Sequence, residues 1–293
     1  MTVAAPADLR RRAEDLAGAL PPLLAEARHL ASAVHLGMHG RRRAGAGDEF
    51  WQYRPALAFD EARQIDWRRS GRSDQHFIRQ KEWQAAQSVH LWADGAKSMG
   101  FRSSDKLSTK ADRAKLLALA VAILLERAGE RVGLADGLTP PRSGPAQLTR
   151  IAAALNARTD TSDYGVPNDR ALLPGARAVF LSDFFGNPDG VEATVLAATD
   201  RGVTGALIQV IDPDEESFPF AGRTIFESMG AALRHETQEA GGLRGRYLAR
   251  LADRQDRLAG LARQTGWSWT VHRTDTPAQL ALLWIYHAIG PKP

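Results

Sequence analysis

The feature that most constrains the fold is an alternation of short apolar segments with longer amphipathic ones, which begins at Val89 and continues to Ala288. A short apolar run predicts a buried strand, and a longer segment with apolar residues at helical spacing predicts a helix. Such alternation is typical of Rossmann-like α/β proteins, in which helices flank a mainly parallel sheet. The predicted strands are Val89–Ala93, Arg131–Ala135, Ala178–Ser182, Val203–Ile211 and Trp267–Arg273, and the predicted helices are Thr109–Ala128, Ala146–Ala157, Gly190–Asp200, Leu243–Gln264 and Pro277–Ala288.

The sequence predicts three regions along the chain. Residues 1–36 carry leucines near helical spacing around Pro21-Pro22, which predicts an N-terminal helical arm. Residues 37–88 are rich in Arg and aromatic residues and lack long periodic segments, and residues 89–290 form the α/β domain. A short hairpin is expected at Phe218–Ser228, with Ala221 and Gly222 at its turn.

The net charge of +4 is unevenly distributed along the chain. Between residues 41 and 79 there are nine Arg and six Asp or Glu, so about three of the four net charges lie in this stretch. Arg and carboxylates of both signs, mixed with Trp and Tyr, are typical of an internally salt-bridged layer and also of a protein-docking face. Both interpretations stay open at the level of sequence.

Composition excludes several classes of protein and of site. The chain has no cysteine, which rules out a thiol nucleophile and a Cys-type zinc site. Its longest apolar run, Leu116–Leu125, is half the length that a bilayer-spanning helix needs, and it predicts a buried helix. The basic cluster at residues 10–12 is followed by Glu14 and Asp15, which do not fit a secretory signal. We therefore expect a cytoplasmic protein without a membrane span.

Two predicted strands end in carboxylates. Val89–Ala93 runs into Asp94, with Ser98 four residues later, and Ala178–Ser182 runs into Asp183. If these strands are neighbours where the strand order reverses, the three side chains converge on an oxygen-rich pocket of the kind that holds Mg²⁺. The alternative is that each Asp caps the turn that follows its strand.

The chain resembles the bacterial domain of unknown function 58 family, whose core is similar to a von Willebrand factor A domain. The motifs that carry the resemblance run in order from about Gly37 to Ala288. They are Gly45-Ala46-Gly47-Asp48-Glu49-Phe50, Arg54-Pro55, Asp60-Glu61-Ala62-Arg63-Gln64-Ile65-Asp66-Trp67, Ser70-Gly71-Arg72, Asp94 with Ser98-Met99, Leu181-Ser182-Asp183-Phe184, Ile211-Asp212-Pro213-Asp214-Glu215 and Pro219-Phe220.

This resemblance implies a metal-ion-dependent adhesion site. Asp94 and Ser98 match the first and last residues of its Asp-x-Ser-x-Ser motif, and Asp183 matches its distal Asp. The middle Ser is replaced by Ala96, and the Thr ligand corresponds to Thr159 or Thr161. Because an oxygen ligand is lost, the sequence predicts a degenerate site that binds Mg²⁺ weakly or not at all. The ammonium of Lys97 is a candidate to take the place of the metal.

The resemblance also implies a function in protein assembly. We expect a non-enzymatic adaptor or co-chaperone that binds a MoxR-type AAA+ ATPase. The candidate protein-binding residues are Lys97, Arg63, Asp66, Trp67 and Arg72. Two alternatives stay open: a metal-dependent hydrolase that uses Asp94 and Asp183, and a nucleic-acid-binding protein that uses Arg41–Arg43. The six acidic residues near those arginines disfavour nucleic acid as a partner.

Overall fold

The computed structural model describes residues 23, 26–32, 41–45, 49–57, 60–71, 75–157, 160–227 and 234–290. The chain forms two compact units. The smaller unit comprises Met38–Gln87 with Pro291–Pro293, and the larger comprises Met1–Gly37 with Ser88–Gly290.

The smaller unit is an antiparallel sheet of three strands, β1 (Arg41–Gly45), β2 (Glu49–Pro55) and β3 (Phe77–Ala85). The strand order is β1-β3-β2, and the short helix α2 (Trp67–Ser70) lies between β2 and β3 in the chain. The sequence predicts no strands here. Its charged residues interrupt the apolar pattern on which such a prediction depends, and Arg41–Arg43 belong to β1.

The larger unit is an α/β sandwich. Five parallel strands form its sheet: β4 (Ser88–Ala93), β5 (Arg131–Leu134), β6 (Arg177–Ser182), β7 (Thr204–Ile211) and β10 (Ser268–Arg273). Its helices are residues 26–32 (α1), α3 (Lys110–Arg127), α4 (Pro145–Ala157), α5 (Pro188–Asp200), α6 (Pro213–Ser217), α7 (Gly241–Thr265) and α8 (Ala278–Ala288). This confirms the predicted Rossmann-like α/β architecture, which is consistent with a von Willebrand factor A-like fold.

The predicted hairpin lies later in the chain than expected. Strand β8 (Thr224–Glu227) pairs antiparallel with β9 (Arg234–Thr237), so the chain reverses between Glu227 and Arg234 and not at Ala221-Gly222. Gly222 precedes β8 and has a φ of +66°, a conformation that explains why glycine is favoured there without making it the hairpin turn.

Side chains of the parallel sheet fill two apolar cores, one on each face. Along β6, Val179 and Leu181 belong to the core that also contains residues of α1, α3, α4 and α8. Ala178 and Phe180 point to the other core, which contains residues of α5 and α7. This is the alternation expected of a strand that is covered on both sides.

Helix α3 is the most deeply buried helix of the larger unit. Every residue of its apolar run Leu116–Leu125 is buried, as the sequence predicts. Within the described parts of the chain, no helix combines the length and the hydropathy needed to cross a bilayer.

The strand order β10-β7-β6-β4-β5 fixes the position of the candidate site. Numbered along the chain, the five strands run 5-4-3-1-2 across the sheet, so the order reverses between β4 and β6. In open α/β sheets, ligands bind at such a point, beyond the carboxyl ends of the strands. Asp94 follows β4 and Asp183 follows β6 at this edge.

Candidate functional site

The carboxyl ends of β4 and β6 bring Asp94 and Asp183 to one edge of the sheet, as the sequence predicts. The two strands are parallel neighbours, with Ala93 opposite Leu181. Asp94 is 1% exposed, and its Oδ2 accepts a hydrogen bond of 2.7 Å from the Ser182 hydroxyl. Its Oδ1 accepts another, of 2.8 Å, from the Ala96 amide. Asp94 therefore holds the turn after β4, as the capping interpretation expects.

A close approach of the loop before β6 further encloses Asp94. A Cβ atom built on Gly165 would lie 2.1 Å from Asp94 Oδ1, so glycine is required there for the loop to pass. The same loop accepts backbone hydrogen bonds from Lys97 to Ser162 O (3.0 Å) and from Ser98 to Asp163 O (2.9 Å). The short helix Lys97–Gly100 is thereby fixed against this loop.

Asp183 forms an ion pair with a buried ammonium group. Its Oδ2 lies 2.9 Å from Lys110 Nζ, and Lys110 Nζ lies 2.5 Å from Glu215 Oε1. The Lys110 side chain is completely buried. Burial alone lowers the pKa of Lys110, but the attraction of two carboxylates outweighs it and raises that pKa. Burial raises the pKa of Glu215, and the charge of Asp183 adds to that rise. Lys110 is therefore the cation of this site.

Sequence reasoning missed both Lys110 and Glu215, although each carries a local signal. Lys110 is the first residue of α3, where the positive end of the helix dipole disfavours a cation unless carboxylates compensate it. Glu215 closes a capping box with Asp212 directly after β7, at the carboxyl edge of the sheet. The sequence thus contains two signals of this ion cluster. One is a Lys at an unfavourable position at the start of a helix, and the other is an acidic capping box after a buried strand.

The other predicted ligands lie at different depths. Ser98 is 8% exposed, and its hydroxyl has no hydrogen-bond partner within the described part of the chain. Lys97 is exposed, and the ammonium that contacts Asp183 belongs to Lys110 instead. Thr161 is exposed, and Thr159 lies outside the described residues.

The donor set at the sheet edge does not fit a divalent cation. Lys110 already places a positive charge beside Asp183, and a second cation there would be repelled. Ala96 supplies no oxygen, and Asp94 uses both carboxylate oxygens for hydrogen bonds within the chain. In the described ranges, no group of three or more His, Asp or Glu side chains has an arrangement suited to a metal.

A pocket of about 220 Å³, named the aromatic pocket below, opens beside Lys110. Three carboxylate residues, Asp163, Asp214 and Glu215, line it together with Ser98. The remaining lining residues are the aromatic side chains Phe101, Tyr164, Phe185, Phe218, Phe220, Phe226 and Tyr247. Lys110 Nζ lies 5.0 Å from the centre of the Phe185 ring, within the range of a cation–π contact.

The predicted docking residues of the smaller unit divide into exposed and structural ones. Trp67 is 60% exposed, and Arg63 is exposed and paired with Glu61. Asp66 caps α2 by accepting a hydrogen bond of 3.0 Å from the Arg69 amide. Arg72 lies outside the described residues.

The structure also contains one of the expected bracing pairs. Arg54 forms a bidentate contact with Asp60, in which both N–O distances are 2.6 Å. The side chain of Asp60 is only 6% exposed. Hydrogen bonding to Arg54 lowers the pKa of Asp60 to about 2. The smaller unit thus contains both an internal salt bridge and an exposed aromatic side chain, so it has features of both interpretations.

Comparison with known proteins gives one family and one structure. The family model described as "Protein of unknown function DUF58" matches residues 51–257, which is more than half of the chain. No curated protein gives a significant match. The crystal structure of the conserved hypothetical protein BatB from Bacteroides thetaiotaomicron is similar at 13% identity and a TM-score of 0.41, covering 70% of this chain and 98% of that chain.

Proposed function

The chain belongs to the DUF58 family, and we propose that it is a non-enzymatic protein-interaction module, an adaptor or co-chaperone for a MoxR-type AAA+ ATPase. The partner comes from the family resemblance of the sequence motifs. Because such a partner consumes ATP, the proposal places the chain in the cytoplasm.

The observation that carries the proposal is the exposed apolar surface of the smaller unit. Trp67 is 60% exposed, Leu57 52% and Tyr53 40%. Tryptophan, tyrosine and arginine dominate the binding energy of protein interfaces, and Arg63 and Arg68 are exposed in the same segment. We infer that this surface contacts the ATPase.

The contacts at the sheet edge disfavour the hydrolase alternative. Asp94 is used to hold the turn after β4, and Asp183 is used to hold Lys110. A metal hydrolase needs carboxylates that are available to a metal, together with a base or nucleophile beside it. A protein-binding site does not need carboxylates that are free to bind a metal, because its buried polar groups serve to keep the site in one conformation.

The nucleic-acid alternative rests on Arg41–Arg43, which lie in β1 beside β3. Strand β3 itself carries Lys81 and Glu82, and β2 begins at Glu49. Charges of both signs across one small sheet are a poor match for a phosphate backbone, which favours a one-sided basic face. We therefore propose that protein, and not nucleic acid, is the partner.

The test is recovery of an AAA+ ATPase by the purified, tagged chain, compared with two variants. Trp67→Ala removes the tryptophan of the proposed surface. Leu280→Ala, on α8, truncates a side chain that is 65% exposed and serves as the matched control. Because a central interface tryptophan contributes about 2 kcal/mol or more, Trp67→Ala is expected to weaken ATPase binding by more than about tenfold.

The control Leu280→Ala is expected to bind like the wild type. If no AAA+ ATPase is recovered with the wild-type chain, the adaptor function is wrong. If both variants bind equally well, the ATPase contacts another surface, and the role proposed for Trp67 is wrong.

A further inference from the structure

A second pocket of the larger unit shares three lining residues with the aromatic pocket, and the two adjoining pockets are together called the groove below. The second pocket measures about 480 Å³ and is also lined by Phe218, Phe226 and Tyr247. The Phe218 ring contacts both of the others, since its centre lies 5.5 Å from that of Phe226 and 4.8 Å from that of Tyr247. The two pockets therefore adjoin at this aromatic cluster.

The two ends of the groove carry opposite charges. Asp163, Asp214 and Glu215 line the aromatic pocket, whereas Arg246 and Arg250 line the second pocket. Lys110 does not cancel the acidic end, because Asp183 and Glu215 both contact its ammonium and leave that cluster with a net charge of about −1. A ligand that spans both pockets therefore meets opposite charges at its two ends.

Two side chains at the acidic end point to a ligand. The Ser98 hydroxyl lines the aromatic pocket and is buried without a hydrogen-bond partner in the described ranges, a condition that proteins rarely leave uncompensated. The Asp214 carboxylate makes no hydrogen bond or ion pair within the described part of the chain, although its backbone amide donates to Asp212. The half-buried Asp214 carboxylate is therefore available to a donor from outside, and the buried Ser98 hydroxyl lacks a partner at the same end of the groove.

Phe218 is held in a strained position beside these groups. It is 6% exposed and has a φ of +47°, in the left-handed region that a bulky side chain rarely adopts. Strain of this kind is typical of binding and functional sites, where the surrounding structure holds the residue in place.

We propose that the groove binds a peptide segment of the partner protein, with an Arg or Lys side chain in the aromatic pocket and an acidic residue beside Arg246 and Arg250. This inference rests on the proposed function, because it names the chemistry of the partner. It differs from metal-mediated binding, in which an acidic partner residue would complete a metal site.

The physical basis is the combination of carboxylates with aromatic faces. A guanidinium or ammonium group gains from both, because aromatic rings attract cations and carboxylates accept charge-assisted hydrogen bonds. The Ser98 hydroxyl has an unused acceptor at this end of the groove. At the other end, Arg246 and Arg250 are exposed and present donors suited to a carboxylate.

The experiment is selection from a positional-scanning hexapeptide library, with the full-length chain as bait. The wild-type chain is expected to enrich peptides that carry Arg or Lys at one position and Asp or Glu at another. Asp214→Asn, which removes one charge without changing shape, is expected to weaken binding of an enriched peptide about tenfold. Phe220→Leu, which keeps apolar volume but removes an aromatic face, is expected to weaken it about threefold.

Asp200→Asn is the matched control. Asp200 is exposed at the carboxyl end of α5, at the opposite edge of the sheet, and its substitution changes the net charge by the same amount. Thermal unfolding of each variant verifies that the fold is intact. If Asp200→Asn weakens peptide binding as much as Asp214→Asn does, the loss reflects only the change in net charge. That result would overturn the proposal.

Two further outcomes would also overturn it: a library without enrichment of basic residues, and peptide binding that is lost on chelation of divalent cations. Neither outcome affects whether the ATPase is recovered. The proposed peptide binding by the groove can therefore be wrong while the adaptor function is right. Conversely, enrichment of dipolar peptides without recovery of an ATPase would support the groove and refute the adaptor function.

Discussion

Lys110 determines the chemistry of the sheet edge at the scale of single residues. A completely buried ammonium lies between Asp183 and Glu215, so the position that the family resemblance gives to a metal is next to a protein cation. The sequence predicts the two aspartates at this edge and the possibility of an ammonium near them, but it points to Lys97. Choosing between the two lysines requires the direction in which α3 starts, and that depends on packing in the finished fold.

Replacing Lys110 with Met is expected to destabilise the protein by about 3–5 kcal/mol at pH 7, because two buried carboxylates lose their counter-charge. The loss should shrink as the pH falls toward 5. Without Lys110, burial raises the pKa of Glu215 still further above its unfolded value, so protonation relieves the folded state first. The measurement is urea unfolding at both pH values.

The exposed Lys106→Met is the control for this substitution and is expected to change the free energy of unfolding by less than about 0.5 kcal/mol. A Lys110→Met variant that unfolds like the wild type at pH 7 would show that the ion cluster does not hold the sheet edge together.

At the scale of elements, the five strands of the parallel sheet and the helices α3, α4, α5, α7 and α8 follow from sequence because each has a recognisable apolar pattern. Strand β4 and helix α3 are the clearest cases, and both lie where predicted. The strands of the smaller unit do not follow, since residues such as Arg79, Lys81 and Glu82 remove the apolar run from β3. The prediction of the hairpin turn at Ala221-Gly222 is wrong because a glycine with positive φ, such as Gly222, also occurs outside hairpin turns.

A junction between α3 and β10 carries the next prediction. Arg113 donates hydrogen bonds of 2.8 Å to the carbonyl oxygens of Thr274 and Thr276, and its Nη1 lies 3.2 Å from His272 Nε2. Because arginine only donates, His272 accepts at Nε2 and is neutral. Burial, together with the charge of Arg113, lowers the pKa of His272 to about 4.

Protonation of His272 should therefore make stability depend on pH. Between about pH 6.5 and pH 4, this histidine is protonated in the unfolded chain but not in the folded chain. The free energy of unfolding therefore falls as the pH falls. From pH 7 to pH 5 the expected loss is about 2 kcal/mol. Chemical unfolding of His272→Gln should show a loss smaller by that amount, and the exposed His287→Gln should keep the wild-type loss. An unchanged slope in His272→Gln would contradict the assignment.

At the scale of the whole molecule, the chain carries two kinds of surface. The smaller unit presents exposed Trp67 beside a braced Arg54–Asp60 pair, and the larger unit presents a dipolar aromatic groove. The sequence predicts the first surface, because its aromatic and Arg residues are close together in the chain. It does not predict the groove, whose walls come from segments that are more than a hundred residues apart, such as Phe101 and Tyr247.

We propose that recognition at the sheet edge relies on side chains of this chain and not on a bound metal ion. It is tested most directly by titrating the purified chain with Mn²⁺ and measuring heat and the loss of free-ion paramagnetic signal. Because Lys110 occupies the carboxylates, we predict no saturable site with a dissociation constant below about 1 mM. A stoichiometric Mn²⁺ site that is present in the wild type and lost in Asp183→Asn would contradict the claim.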